Sequence, residues 1–347
     1  MSAIYQRFLD PTKLIRNQHR WYDLLKSLVY HHDSNLFSQL DFDNDRAFSD
    51  PVVFHYLFSP KTPNSPLVRW LYGYIPPDLR PANLIVRADR DGLVNLPNLG
   101  YLRLKPKEKV KISPGDVETT LLENFYLPES SIRLCIHGTS LLEVKPLKEP
   151  PERTLTKHIS PLSEAAQFLQ VAQPELWTTI ERVAREVVVY NSMVTTNLTG
   201  LQHHGTLYLN TQGRAPTSVF FVDALVRGCG YLLFDMLMLD QVIDNSDKRN
   251  PNLSWDWLPC KRGGRILRDI FARLLALDSL SSLSEWCELL GNWEGLKAKA
   301  EANYYQTLHL QTLKENISFL DLRGNKSEEN SDGLLSSLID FYIRRRV

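Results

Sequence analysis

The segment Val219–Asp240, VFFVDALVRGCGYLLFDMLMLD, spaces Asp223, Arg227, Tyr231 and Asp235 four residues apart. Read as a helix, it puts all four on one face of an otherwise apolar rod. A rod of this composition belongs in a protein core, so its polar stripe must look into a pocket or be paired internally. A metal-binding His-Glu-x-x-His helix uses the same i, i+4 geometry, with two imidazoles on one face and a glutamate between them. Here the five positions read Arg227, Gly228, Cys229, Gly230 and Tyr231, which keeps the spacing and lacks the ligands.

The remaining chemistry-bearing residues have bland readings. Cys229 lies in a helix interior, away from the N-terminal dipole that would favour a thiolate, so it is expected as a small buried residue at a close helix contact. Gly228 and Gly230 each cost about 1 kcal/mol in a helix, which points to a close approach by backbone or ligand. His31-His32 and His203-His204 are adjacent pairs whose rings point apart, so surface or hydrogen-bonding roles are expected over chelation. His55, His137, His158 and His309 have no partner at ligand spacing. Trp255, Trp257, Trp286 and Trp293 are read as core or interface aromatics, with peptide contact as the alternative. Lys261–Arg265 lacks the Lys-Ser/Thr end of a phosphate loop and is read as a solvated loop before a helix.

These residues need elements to position them. A chain of 347 residues can bury a sizeable core. Its 40 basic and 40 acidic residues balance, so no global field draws it to nucleic acid or an anionic membrane, and the basic end Arg344–Arg346 is read as a solvated helix terminus. The start, MSAIYQRFLDP, lacks a basic segment followed by an apolar one, so no signal peptide is expected. Val219–Asp240 is long enough to span a bilayer, but its charges and glycines favour a buried helix. Four scattered cysteines, Cys135, Cys229, Cys260 and Cys287, fit free thiols in a reducing cytoplasm.

Patterning predicts an α+β chain in three parts: an N-terminal helical and irregular segment at 1–82, a small β-rich subdomain at 83–147, and a mostly helical domain at 148–347. Asp10 and Pro11 can open the first helix, and 41–78 is read as irregular with one or two short helices. Short aliphatic runs separated by Asp-Gly, Pro-Asn and Pro-Gly fill the middle part. Lys148–Arg153 is read as a linker. Ser160-Pro161 is expected to start one helix, and Gln173-Pro174 another that runs to about Tyr190. Gly205–Asn210 is expected as a strand, Thr217 or Ser218 as the cap of the apolar rod, and Gly264–Leu277 as a helix. Amphipathic patterns follow through Ser281–Leu310, then a polar loop at Arg323–Asp332 and a last short helix.

From about Ala165 to Leu277 the order of features resembles bacterial 2-oxoglutarate-dependent HExxH-type peptide β-hydroxylases, which act on ribosomal precursor peptides. The resemblance rests on Glu186–Tyr190, on Gly205–Leu209, on Leu225–Phe234 in place of the Leu-Val-His-Glu-x-x-His-x-x-Leu-Phe helix, and on Arg265–Phe271 in place of the helix bearing the third His. Leu96–Gly100 also resembles the family's middle portion. The three ligand positions then fall on Arg227, Tyr231 and Arg268, and the motif glutamate falls on Gly228.

Guanidinium offers no lone pair, and a lone tyrosine does not hold iron, so the resemblance implies a member with degenerate ligand positions and neither metal nor cofactor. Two readings of Arg227, Tyr231 and Arg268, with Asp223 and Asp269, stand side by side. They line a pocket for a carboxylate or phosphate, or Asp223–Arg227 and Arg268 with Asp269 or Asp235 form buried pairs that plug the vacated hole. The leading expectation is a cytoplasmic, metal-free relative, a pseudoenzyme that binds a precursor peptide or a partner modifying enzyme. The rival is an iron-independent enzyme in which Arg227 and Arg268 bind an acidic substrate and lower the pKa of Tyr231, a general acid.

Overall fold

The structure, a computed structural model, describes residues 11–59, 66–114, 121–137, 147, 149–193, 201–213, 216–246, 262–290 and 292–321. In chain order the elements are α1 (Pro11–His32), α2 (Ser34–Gln39), α3 (Asp45–Phe48), α4 (Pro51–Phe58), α5 (Leu67–Leu71), β1 (Leu84–Arg87), β2 (Leu93–Leu96), β3 (Gly100–Arg103), β4 (Lys109–Ile112), β5 (Phe125–Tyr126) and β6 (Arg133–Leu134). There follow α6 (Pro151–Ala172), α7 (Pro174–Val183), β7 (Glu186–Tyr190), β8 (Thr206–Asn210), α8 (Ser218–Ser246), α9 (Arg262–Leu290) and α10 (Trp293–Asp321). The expected class, α+β and mostly helical with small sheets, is the one observed. No helix among the described residues is long and apolar enough to cross a membrane.

Contacts divide the chain into two units. One comprises His19–Ala166 and Glu181–Pro216. Its largest sheet has the order β5-β6-β7-β8, with β5 antiparallel to β6 and the other pairs parallel. Every residue of β7 is buried. That explains why the expected helix to Tyr190 ends at Val183 instead. Val187-Val188-Val189 is a continuous β-branched run, which suits a strand buried on both faces better than a helix. Gly205 leads into β8 as expected, with φ of 82°. In the same unit β1 pairs with β4 and β2 with β3, both antiparallel.

The start expected at Ser160 is also corrected. Helix α6 begins at Pro151, inside the stretch read as a linker, and runs through Pro161. Proline at a first helical position has the φ a helix needs and no N–H to leave unpaired, so Pro151 opens the helix that its neighbours appeared to break.

The other unit comprises Met1–Gln18, Gln167–Ile180 and Thr217–Val347. Its frame is α8, α9 and α10. Thr217 caps α8, accepting the Phe220 N–H on Oγ1 at 3.1 Å and donating to Glu301 on α10 at 2.6 Å. Helix α9 continues well past the expected Leu277, with Leu280, Leu283 and Cys287 keeping its buried stripe. Gln173 ties α7 to α9 by donating to the Ser279 carbonyl at 3.1 Å, and Phe168 packs edge-on against Trp286. The expectations for Asp10, Trp255, Trp257, Cys260, Lys261, the loop at 323–332 and Arg344–Arg346 lie outside the described residues.

Candidate functional site

The polar stripe of α8 faces inward, as its spacing predicts. Asp223 and Asp235 are buried, while Arg227 and Tyr231 are partly so. Close helix approach at this level depends on Gly230. A Cβ there would stand 2.6 Å from Ala272 Cα on α9, so the backbone contact expected at this glycine is with a neighbouring helix. Cys229 beside it is buried, and desolvation pushes its thiol well up.

The positions matched to the three metal ligands do come together, and each is committed to a neighbour. Arg227 lies 3.4 Å from Asp223 one turn earlier. Tyr231 donates its hydroxyl to Asp269 Oδ1 at 2.7 Å. Arg268 pairs with Asp235, donates from Nε to the Tyr231 carbonyl at 3.3 Å, and sets its guanidinium 5.2 Å from the Tyr231 ring centre. Asp269 in turn accepts from Arg273 at 2.7 Å and from Asn316 on α10 at 2.9 Å. Arg273 lies 2.9 Å from His309 Nδ1, and His309 Nε2 lies 2.5 Å from Asp223 Oδ1. The network thus closes from Asp223 through His309, Arg273 and Asp269 back to Tyr231 on the starting helix.

Of the two readings of these residues, the geometry is that of pairs filling the space, with Asp235 as the partner of Arg268. His309 is the principal member that sequence reasoning missed, since it stands alone in the chain. A sign of it was present: a carboxylate at Asp223 on an apolar rod needs a buried donor besides Arg227.

The electrostatics follow from burial and pairing. Desolvation would raise the Asp223 carboxyl, but Arg227, the His309 hydrogen bond and Arg273 outweigh it and hold it below the usual range. Asp269 behaves alike, with Arg273 and the hydrogen bonds from Tyr231 and Asn316 overcoming desolvation. Asp235 goes the other way. Desolvation lifts it to about 6 in spite of Arg268, and its Oδ1 has no hydrogen-bond partner among the described residues. Tyr231 is raised by desolvation and by Asp269, which corrects the expectation that flanking arginines would lower it. A hydroxyl whose proton already serves a carboxylate is a poor general acid near neutral pH.

These side chains do not fit the iron of the family that the sequence resembles. Two guanidinium groups offer no lone pair, and the phenol is held protonated. Among the described residues, no three His, Cys, Asp or Glu side chains are grouped so as to hold a metal ion. The paired histidines have other duties. His32 Nε2 meets the Tyr56 hydroxyl at 2.9 Å, whereas His203 and His204 are buried, His204 stacked on Trp21 and His203 edge-on to Tyr208. Of the surface or hydrogen-bonding roles expected for the second pair, burial rules out the surface one.

The unit that holds the sheets, His19–Ala166 with Glu181–Pro216, has a second buried polar cluster that the sequence did not announce. Arg133 on β6 bridges Glu186 on β7 at 2.7 Å and Asp50, which caps α4, at 3.6 Å. Tyr74 donates to Asp50 at 2.7 Å, and Thr206 donates to Glu186 at 2.9 Å. Nearby, Cys135 Sγ lies 2.9 Å from His137 Nδ1. Desolvation raises this thiol, and desolvation with Arg133 pushes His137 down to about 3, so both stay neutral and no thiolate–imidazolium pair forms. Sequence proximity gave no clue, because the cluster joins residues from 50 to 206.

Comparison with known proteins adds no assignment: no family model matches the chain, and no curated protein matches it.

Proposed function

We propose that this chain is a metal-free relative of the HExxH-type peptide β-hydroxylases that acts by binding, either a ribosomal precursor peptide or a partner modifying enzyme. One observation carries this reading. The positions matched to the iron ligands, Arg227, Tyr231 and Arg268, are each tied to a carboxylate on α8 or α9. Neither arginine offers a lone pair to a cation, the Tyr231 proton is held by Asp269, and both guanidinium groups already face carboxylates. Retention of the framework without its chemistry fits a protein that positions a substrate for another catalyst.

The test is incubation of the full chain with ferrous iron, 2-oxoglutarate and precursor peptides encoded beside its gene, in anaerobic and aerobic arms. Succinate release and intact peptide mass report turnover, and calorimetry reports binding. The expected result is peptide or partner binding with no succinate and no mass change. A mass gain of one oxygen with matching succinate overturns the proposal.

A further inference from the structure

The unit that holds the sheets carries a basic surface unrelated to either buried network. Strands β1 and β4, and β2 and β3, keep one register, with Leu84 opposite Ile112 and Leu93 opposite Arg103, so residues 84–112 form a single long hairpin interrupted at Asp89–Gly92. Leu84, Val86, Val94, Leu102 and Ile112 pack into one cluster on its inner side. Alternation then turns Ile85, Arg87, Lys109 and Lys111 outward, and all four are exposed, Ile85 to 67%. Lys105 and Lys107 are exposed next to them.

This arrangement is unfavourable by itself. Arg87 stands directly opposite Lys109 in the ladder, and like charges so placed repel. The nearby carboxylates are occupied: Asp89 accepts the Asp91 and Leu93 N–H groups at 2.8 Å each, Glu108 accepts the Lys105 N–H at 2.9 Å, and Asp91 lies 3.6 Å from Arg90. Among the described residues, Arg87, Lys105, Lys107, Lys109 and Lys111 have no ion-pair partner. The whole chain balances 40 basic against 40 acidic residues, so the concentration is local and not compositional.

We infer that the outer face of β1 and β4 is a docking surface for an acidic peptide segment in extended form. Lys109 and Lys111 stand two residues apart on one strand face, a spacing of about 6.6–6.8 Å. An extended peptide repeats at the same interval, so carboxylates at alternate positions meet successive cations, and Ile85, opposite Lys111 on the paired strand, supplies an apolar contact beside them. Lysines also guard strand edges against pairing with other chains, a role that selects no anionic ligand. The surface lies in a different unit from the α8–α9 network and stands whether or not that network descends from an iron site.

The test is fluorescence polarisation of the full chain with a labelled peptide alternating Glu and Thr. Controls are the Gln-for-Glu peptide and a single-stranded oligonucleotide of equal charge. The Glu peptide binds at low salt, added salt weakens it, and the Gln peptide does not bind. Lys109→Glu with Lys111→Glu weakens binding by about tenfold or more, since each reversal replaces an attraction with a repulsion. Lys109→Gln with Lys111→Gln falls between, and Lys314→Glu on α10 leaves binding unchanged. All variants should unfold at or slightly above the wild-type temperature, because these side chains are exposed and the changes at Lys109 relieve its repulsion from Arg87. Three results overturn the proposal: no binding of the Glu peptide, binding indifferent to the Lys109 and Lys111 changes, or oligonucleotide binding that is equally tight and lost in the same variants.

Discussion

Breaking the Asp235–Arg268 pair tests whether the α8–α9 network is structural. The two side chains are 1% and 5% exposed, so neither charge is relieved by water. Asp235→Leu leaves the Arg268 guanidinium buried beside a tyrosine ring with one carbonyl contact, and removing one partner of such a pair costs about 3–5 kcal/mol. Replacing both, Asp235→Leu with Arg268→Met, removes the desolvation of two ions while keeping volume, a change that is neutral or stabilising by about 1–4 kcal/mol in comparable cases. Urea unfolding followed by circular dichroism gives the four free energies of the cycle. A single Asp235→Leu cost below about 1 kcal/mol would refute the burial argument, on the scale of ordinary surface substitutions. So would a double variant as unstable as that single one. The pH dependence supplies a second check. The folded carboxyl sits at about 6 against 3.8 unfolded, so its contribution favours the folded state in acid and is lost as pH rises through about 6. Asp235→Asn should remove that falling limb.

Tyr231→Phe deletes one hydrogen bond to Asp269, which keeps Arg273 and Asn316, so a loss of about 1–2 kcal/mol is expected in the same unfolding assay. Gly230→Ala drives a methyl group into Ala272 and should cost about 1–3 kcal/mol, seen as a lowered midpoint in a thermal melt. Asp223 is held below 3.8, so its stabilisation is present above that value and lost as pH falls through the folded one. Asp223→Asn should therefore destabilise strongly at pH 7 and progressively less in acid, and a deficit constant with pH would contradict the assignment.

The apolar rod was legible because a long helix with a polar residue at every fourth position leaves little choice of face. Asp223, Arg227, Tyr231 and Asp235 lie where that spacing puts them, and Arg268 and Asp269 meet them across the helix pair. What spacing on one helix does not encode is the identity of partners on another, which is why His309 and Asn316 on α10 were not foreseen. Local periodicity also failed at Glu186–Tyr190. Apolar on both faces, that run carries no period to separate a strand from the end of a buried helix, and only its β-branched residues, now paired with β6 and β8, favour the strand. The Arg133 cluster is the extreme case, since its members converge only through sheet pairing and a helix cap.

The most direct measurement is the iron content of the purified chain after anaerobic loading with ferrous iron and desalting. It should be made beside a variant carrying Arg227→His, Gly228→Glu, Tyr231→His and Arg268→His, with circular dichroism confirming that the variant folds. The proposed reading, a scaffold without its ligands, predicts no iron in the unaltered chain and stoichiometric iron in the folded variant. Stoichiometric iron in the unaltered chain would contradict the account.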